Sequence, residues 1–172
     1  MEILLYLVII FVVWAIVIFN LLVRDKNRVL TAWSDIDVQL RRRYDLIPKL
    51  VEAVKQYASY ESATLEAVTE MRNTGEQVSA VSERGSLETQ LGNNLQRLIA
   101  LAEAYPDLKA NQSFLDLQHN LTDVEKHIQY ARRYYNGCVR NLNVRIESFP
   151  DMFIANLFKF QQAEFFDMSE DQ

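Results

Sequence analysis

The sequence predicts an all-α protein in which an N-terminal transmembrane helix leads into long amphipathic helices. Three observations carry that expectation. Residues 3–23 hold no charge and a single polar side chain, Asn20. Beyond them, apolar residues recur every three or four positions, the period of a helix with one buried face. The 172 residues contain only 4 Gly and 3 Pro, too few for the many tight turns of a β-sandwich.

The apolar run matches the hydrocarbon core of a bilayer, about 30 Å at about 1.5 Å rise per residue. A cleaved signal peptide would want a positively charged start, a shorter apolar core and small residues at the cut. Here Met1 and Glu2 precede the run, and Arg24, Asp25, Lys26, Asn27 and Arg28 follow it. A buried core helix is the other alternative, but soluble domains seldom carry so long an apolar run. The cations Arg24, Lys26 and Arg28 place the following domain in the cytoplasm and the N-terminus outside, by the positive-inside rule. The expected location is the bacterial cytoplasmic (inner) membrane, crossed once.

Three regions follow: an anchor (1–23), a helical bundle (24–150) and an aromatic-rich C-terminal segment (151–172). From Val29 the apolar stripe runs through Trp33, Ile36, Leu40, Tyr44, Ile47, Val51, Val54 and Ala58, then Leu65, Val68 and Met71. Pro48 lacks a backbone donor and clashes with the preceding turn, so the anchor helix is expected to end near Tyr44. Asp45 is then an N-cap and Pro48 sits in the first turn of a new helix. The break is either a kink or a reversal. Asn73-Thr74-Gly75 marks the next helix end, with Gly75 left-handed at C′. Residues 75–86, with Ser79, Ser82, Gly85 and Ser86, read as the main loop, and Ser86 as a helix start. A stripe of Leu87, Leu91, Leu95, Leu98, Ala102 and Tyr105 ends at Pro106 and Asp107. The last long helix is expected over about 111–148. It alternates three and four in the manner of a coiled coil: Phe114, Leu117, Leu121, Val124, Ile128, Ala131, Tyr135, Cys138, Leu142, Ile146, Phe149. Pro150 breaks it, and a short helix follows around 152–158.

Candidate chemistry is sparse. His119, Asp123 and His127 share one helix face and offer three metal ligands, but no Glu-x-x-His pair accompanies them, and a solvated face is the simpler reading. Cys138 falls on the apolar stripe and is most simply a small core residue. A lone cysteine makes no internal disulfide, which fits a reducing compartment. No phosphate loop, Ser-x-x-Lys or His-Glu-x-x-His occurs, so neither enzyme activity nor a cofactor is expected. A net charge of −5 and the lack of any binding motif argue against nucleic acid. Charge is uneven, however. Residues 24–60 carry Arg24, Lys26, Arg28, Arg41, Arg42, Arg43, Lys49 and Lys55 against five acids, either an attraction for anionic lipid or a solvated face with internal ion pairs. Asp37–Arg41 and Arg41–Asp45 are spaced to bridge.

The segment Ala32-Trp33-Ser34-Asp35-Ile36-Asp37-Val38-Gln39-Leu40, continued by Arg42-Arg43-Tyr44-Asp45-Leu46-Ile47-Pro48, resembles the LemA family of bacterial membrane proteins. So do Tyr134-Tyr135-Asn136, Ser148-Phe149-Pro150, Asn156-Leu157-Phe158 and Ala163-Glu164-Phe165-Phe166. The resemblance covers nearly the whole chain. Phe19 stands where the family usually has tyrosine, and 75–95 match loosely. The resemblance implies a soluble antiparallel four-helix domain, hence a reversal near Pro48, and no enzyme activity. The full expectation is an N-terminal transmembrane helix continuing into an antiparallel up-and-down four-helix bundle with a short C-terminal helix.

Two candidate contact surfaces result. The family-motif block contributes Trp33, Asp35, Asp37, Arg42, Arg43, Tyr44, Asp45 and Pro48 as a charged collar above the membrane. The tail contributes Phe149, Pro150, Phe153, Leu157, Phe158, Phe165 and Phe166, which dock on the bundle or touch the bilayer or a neighbouring subunit. The expected function is a non-enzymatic, self-associating scaffold that recruits membrane-protease or envelope partners. The alternative is a lipid-facing protein that shapes or senses the membrane through collar and tail.

Overall fold

The computed structural model describes residues 1–58, 62–78 and 80–166, apart from the side chains of Ser82 and Glu103. Ser79 and the acidic end at 169–172 lie outside the described residues. Those described are all-helical, without a strand: α1 (Glu2–Lys55), α2 (Ser62–Gln77), α3 (Val81–Leu101), a 3-10 turn (Ala102–Ala104), α4 (Pro106–Lys109), α5 (Gln112–Glu147) and α6 (Asp151–Leu157).

Helix α1 starts with Glu2 in its first turn and ends with Lys55 in its last, each complementing the helix dipole. Among the described residues α1 alone is long and apolar enough to cross a membrane, and only 6% of its most apolar stretch is buried. The core helix of a soluble domain hides its apolar face, whereas here residues 1–13 are all exposed. Burial begins at Ile18 and Leu22.

The expected break near Tyr44 does not occur. Asp45 is no N-cap, and Pro48 lies inside α1. Proline at 48 withholds the N–H that would serve the Tyr44 carbonyl four residues earlier. That carbonyl instead accepts a hydrogen bond from Arg72 Nε at 3.1 Å. A donor from the neighbouring helix thus replaces the missing backbone donor, and the proline ring stays on the exposed side. The chain turns only after Lys55, where the N–H groups of Tyr57 and Ala58 both bond the Val54 carbonyl. Helix α2 then returns beside α1, with Arg72 at Tyr44 and Ser62 and Leu65 across a shared crevice from Val51 and Lys55.

Gly75 also departs from expectation. It is buried inside α2, which runs on to Gln77, and no described glycine has positive φ. The expected loop over 75–86 is largely helical instead: α2 runs on to Gln77, α3 begins at Val81, and Ser86 lies within α3. The C-terminal boundaries follow the sequence signals more closely. Pro106 opens α4 at its first position. Asn111 caps α5, its side-chain oxygen accepting the Phe114 N–H at 3.2 Å. At the end of α6 the Lys159 N–H bonds the Asn156 carbonyl (3.2 Å) and the Phe160 N–H bonds the Ala155 carbonyl (2.9 Å). This is the paired bonding of a Schellman cap, with Lys159 at the left-handed position, φ 55°.

The chain divides into two compact units: Met1–Ser34 with Arg133–Phe165, and Asp35–Arg132 with Phe166 onward. The second has a core of Ile36, Leu40, Ile47 and Leu50 of α1, Val68 of α2, Leu91 and Leu98 of α3, and Val124 and Ile128 of α5. The first buries Leu22, Val29 and Ala32 of α1, Val139 and Leu142 of α5, and Ala155 of α6. Most of the expected stripes face inward. Phe149 is the exception, 78% exposed, because α5 ends at Glu147 and the helical period that would turn Phe149 inward ends with it.

Candidate functional site

In the second unit the most unusual chemistry is a buried ion cluster around Arg43. The side chain of Arg43 is wholly buried. Its guanidinium donates to the Glu88 carboxylate of α3 and, at 3.0 Å, to Glu125 of α5. Tyr44 donates its phenol to the same Glu88 carboxylate. Burial, reinforced by the Glu88 charge, pushes the Tyr44 phenol well above its ordinary range, so it stays protonated. An arginine suits this position because its charge is permanent and its planar fork reaches two acids at once. The cluster fits because Gly75 has no side chain. A Cβ there would stand 2.7 Å from Tyr44 Oη and 3.3 Å from Glu88 Oε1.

Beside it, Asp37 accepts from Arg41 within α1 and from Arg84 of α3, both at 2.8 Å. With Arg72 on the Tyr44 carbonyl, polar contacts from α2, α3 and α5 all converge on one stretch of α1. Buried charges paired in this way fix which surfaces meet, since any other register would strand a charge.

The first unit has its own polar knot. Asp25, buried just past the apolar stretch, accepts from Arg145 Nε of α5 at 2.7 Å, with Arg28 at 3.5 Å and Arg24 at 3.7 Å. Arg145 also reaches Asp151 of α6 at 3.0 Å. The hydrogen bond to Asp25 leads the effects that hold Arg145 firmly protonated. Trp33 packs on Tyr135, ring centroids 5.5 Å apart. The Tyr135 hydroxyl donates to the Glu164 carbonyl at 2.8 Å. Asn143 grips Ala163 through both backbone groups, each at 2.9 Å. These bonds tie the segment after α6 to α5.

The family-motif block is therefore not one exposed collar. Arg43 and Tyr44 are buried, Trp33 and Asp37 half-buried, and Asp35, Arg42, Asp45 and Pro48 exposed. Arg41 pairs with Asp37, whereas Asp45 joins no ion pair among the described residues. Arg42 faces Asp123 at 3.6 Å, and His127 lies 3.6 Å from the same carboxylate. No group of three or more potential metal ligands gathers among the described residues. Cys138 is buried. In the tail, Phe149, Phe153, Leu157, Phe158 and Phe165 are exposed, Pro150 half-exposed and Phe166 buried. Glu88, Glu125, Arg72, Gly75, Asp25 and Arg145 were not singled out by the sequence. Their partners lie far along the chain, Arg43 to Glu125 being 82 residues apart, so no local spacing reveals them.

An all-helical chain with an exposed apolar N-terminal helix and internally neutralised polar cores defines the class: a helical protein with a candidate membrane anchor. Residues 32–172 match the LemA family. The chain belongs to that family. It is 26% identical over 152 residues to Protein LemA of Metamycoplasma hominis, covering 88% of this chain and 69% of that protein. It is 24% identical over 159 residues to Magnetosome protein MamQ 2 of Paramagnetospirillum magneticum, and 23% to Magnetosome protein MamQ of Magnetospirillum gryphiswaldense. Each of those matches covers 77% of this chain and 58% of the relative, so the chain spans little more than half the length of the MamQ proteins.

Proposed function

We propose that this protein is a non-enzymatic scaffold or adaptor held in the bacterial cytoplasmic membrane by the first part of α1. One observation carries the reading: α1 continues unbroken from an exposed apolar stretch, through Pro48, into helices cross-tied by buried ion pairs. Such a chain is built to hold a domain at a membrane. The chemistry of its cores is committed to internal bonds, and the names of its relatives, LemA and MamQ, denote no reaction. The domain is an up-and-down four-helix bundle of α1 (from Asp35), α2, α3 and α5. Arg24, Lys26 and Arg28 favour a cytoplasmic domain and an outside N-terminus. Exposed Val38 and Tyr130 supply apolar contact area for self-association and for membrane or envelope partners, membrane proteases among them. Crosslinking in cells followed by partner identification tests this. Recovery of the chain as a partnerless monomer, in cells and in mild detergent, overturns it.

A second reading, that the protein is lipid-facing and shapes or senses the membrane, is favoured by the exposed aromatic side chains on and around α6.

A further inference from the structure

We propose that a crevice in the first unit, between α1 and the segment after α6, binds the phosphate of an anionic phospholipid headgroup through Lys26 and Lys159. The proposal rests on the membrane anchoring proposed above.

Depth is the first argument. The rings of Phe158 and Phe160 lie 4.8 and 5.9 Å from the ring of Phe19, centroid to centroid. Phe19 is four residues, about 6 Å along the helix, inside the end of the apolar run at Val23. The segment after α6 therefore meets α1 at the edge of the hydrocarbon layer, where aromatic rings settle. Helix α6 buries Ile154 and Ala155 and turns Phe153 and Leu157 outward, 57% and 71% exposed. At that depth the outward face meets acyl chains rather than water.

Charge is the second argument. Lys26 lies three residues, about 4.5 Å, beyond Val23, at headgroup level. It lines a crevice of about 250 Å³ with Lys159, Gln161 and Gln162, over Val29 and Leu142. The arginines of this unit beside the span, Arg24, Arg28 and Arg145, already face Asp25. Among the described residues neither Lys26 nor Lys159 has a carboxylate within ion-pair distance. The nearby Glu147 instead accepts from the Gln162 amide at 2.6 Å. Two uncommitted ammonium groups thus flank a gap at the depth where lipid phosphates lie.

Backbone conformation is the third. Lys159 holds φ 55° at a helix-capping position that glycine fills with least strain. The strained lysine is compensated if its ammonium has work at that point. It also makes a clean test available, because Lys159→Gly removes the charge while easing the cap.

The experiment is native mass spectrometry of the full chain in non-ionic detergent, titrated with phosphatidylglycerol or phosphatidylcholine. The intact chain is expected to retain one phosphatidylglycerol in preference to phosphatidylcholine. Each lysine near an anionic headgroup contributes about fivefold, so K26Q/K159G should weaken phosphatidylglycerol retention about 25-fold and leave phosphatidylcholine unchanged. Circular dichroism should show the variant folded, with an unchanged or raised Tm. Equal retention of the two lipids, or a double variant that holds phosphatidylglycerol as well as the parent, overturns the proposal. Displacement of phosphatidylglycerol by millimolar inorganic phosphate would assign the crevice to free phosphate and overturn the lipid assignment. Carbonate washing of membranes separates the two levels. A chain that stays embedded but shows no lipid preference sinks the crevice alone, whereas a chain released intact sinks the anchor and the crevice together.

Discussion

Arg43 is the residue on which the second unit turns. Its charge is buried against Glu88, itself buried, and reaches Glu125 at the partly exposed edge. Removing one member of a buried pair leaves the other uncompensated. Arg43→Ala is therefore expected to cost about 3–5 kcal/mol, a fall in Tm on the order of 10 °C by circular dichroism of the full chain in detergent. Pairing Arg43→Met with Glu88→Leu should recover much of that loss, since no charge is then stranded. Two glycines give opposite outcomes. Gly75→Ala forces Tyr44 and Glu88 apart and should destabilise by about 1–3 kcal/mol despite alanine's better helix propensity. Gly137→Ala meets nothing within 4 Å and should stabilise by about 0.5–1 kcal/mol. Tyr44 adds a pH signature. Its phenol is held protonated in the fold, while an unfolded tyrosine ionises at about pH 10. Above that pH the unfolded chain binds fewer protons, so stability contributed by Tyr44 is complete below it and declines as pH rises further. Tm measured from pH 8 to 11 should fall less steeply in Tyr44→Phe than in the parent.

At the scale of elements, α1 survives its proline because another helix completes it. Pro48 and Arg72 bear on the same carbonyl, that of Tyr44. Pro48→Ala restores the backbone donor, and Arg72→Ala removes the substitute. The two changes should be non-additive by about 0.5–1 kcal/mol in a double-mutant cycle read by thermal unfolding, with Pro48→Ala helping more where Arg72 is absent. Strict additivity would mean that the Arg72 bond does not sustain the helix. Asp45, by contrast, is exposed inside α1, so Asp45→Ala should change stability by less than about 0.5 kcal/mol in thermal unfolding. An N-cap at that site would have cost more.

At the scale of the molecule, the polar knots pair arginines with carboxylates, so that a formal charge count overstates the free positive charge. Of the cations in 24–60, Arg43 is buried in its cluster, and Arg24 and Arg28 face Asp25. The surface just beyond the apolar run is thereby less basic than the residue list implies, and its uncommitted charge narrows to lysines such as Lys26. With the anchor proposed for residues 3–23, the full chain should remain in the pellet through carbonate washing. Replacing Val8, Val12 and Ile16 with glutamate should release it, because a charge at a span centre costs about 2.5–3.5 kcal/mol.

The apolar run, the helical periods and the start of the last long helix near residue 111 were legible in the sequence because each is a local signal, written within a few turns of helix. The aromatic tail was legible as composition, though not in its division between exposed Phe153 and Leu157 and buried Phe166. Tertiary structure decided the rest. Pro48 reads as a break until Arg72 is seen to supply its missing donor, and Gly75 reads as a helix end until Tyr44 and Glu88 are found to need its empty side. Arg43 resembles its neighbours Arg41 and Arg42 in sequence and is separated from them only by the helices that enclose it. Local propensity fixes what a segment does alone, while the fate of a carbonyl, a cavity or a charge depends on which distant residue arrives beside it.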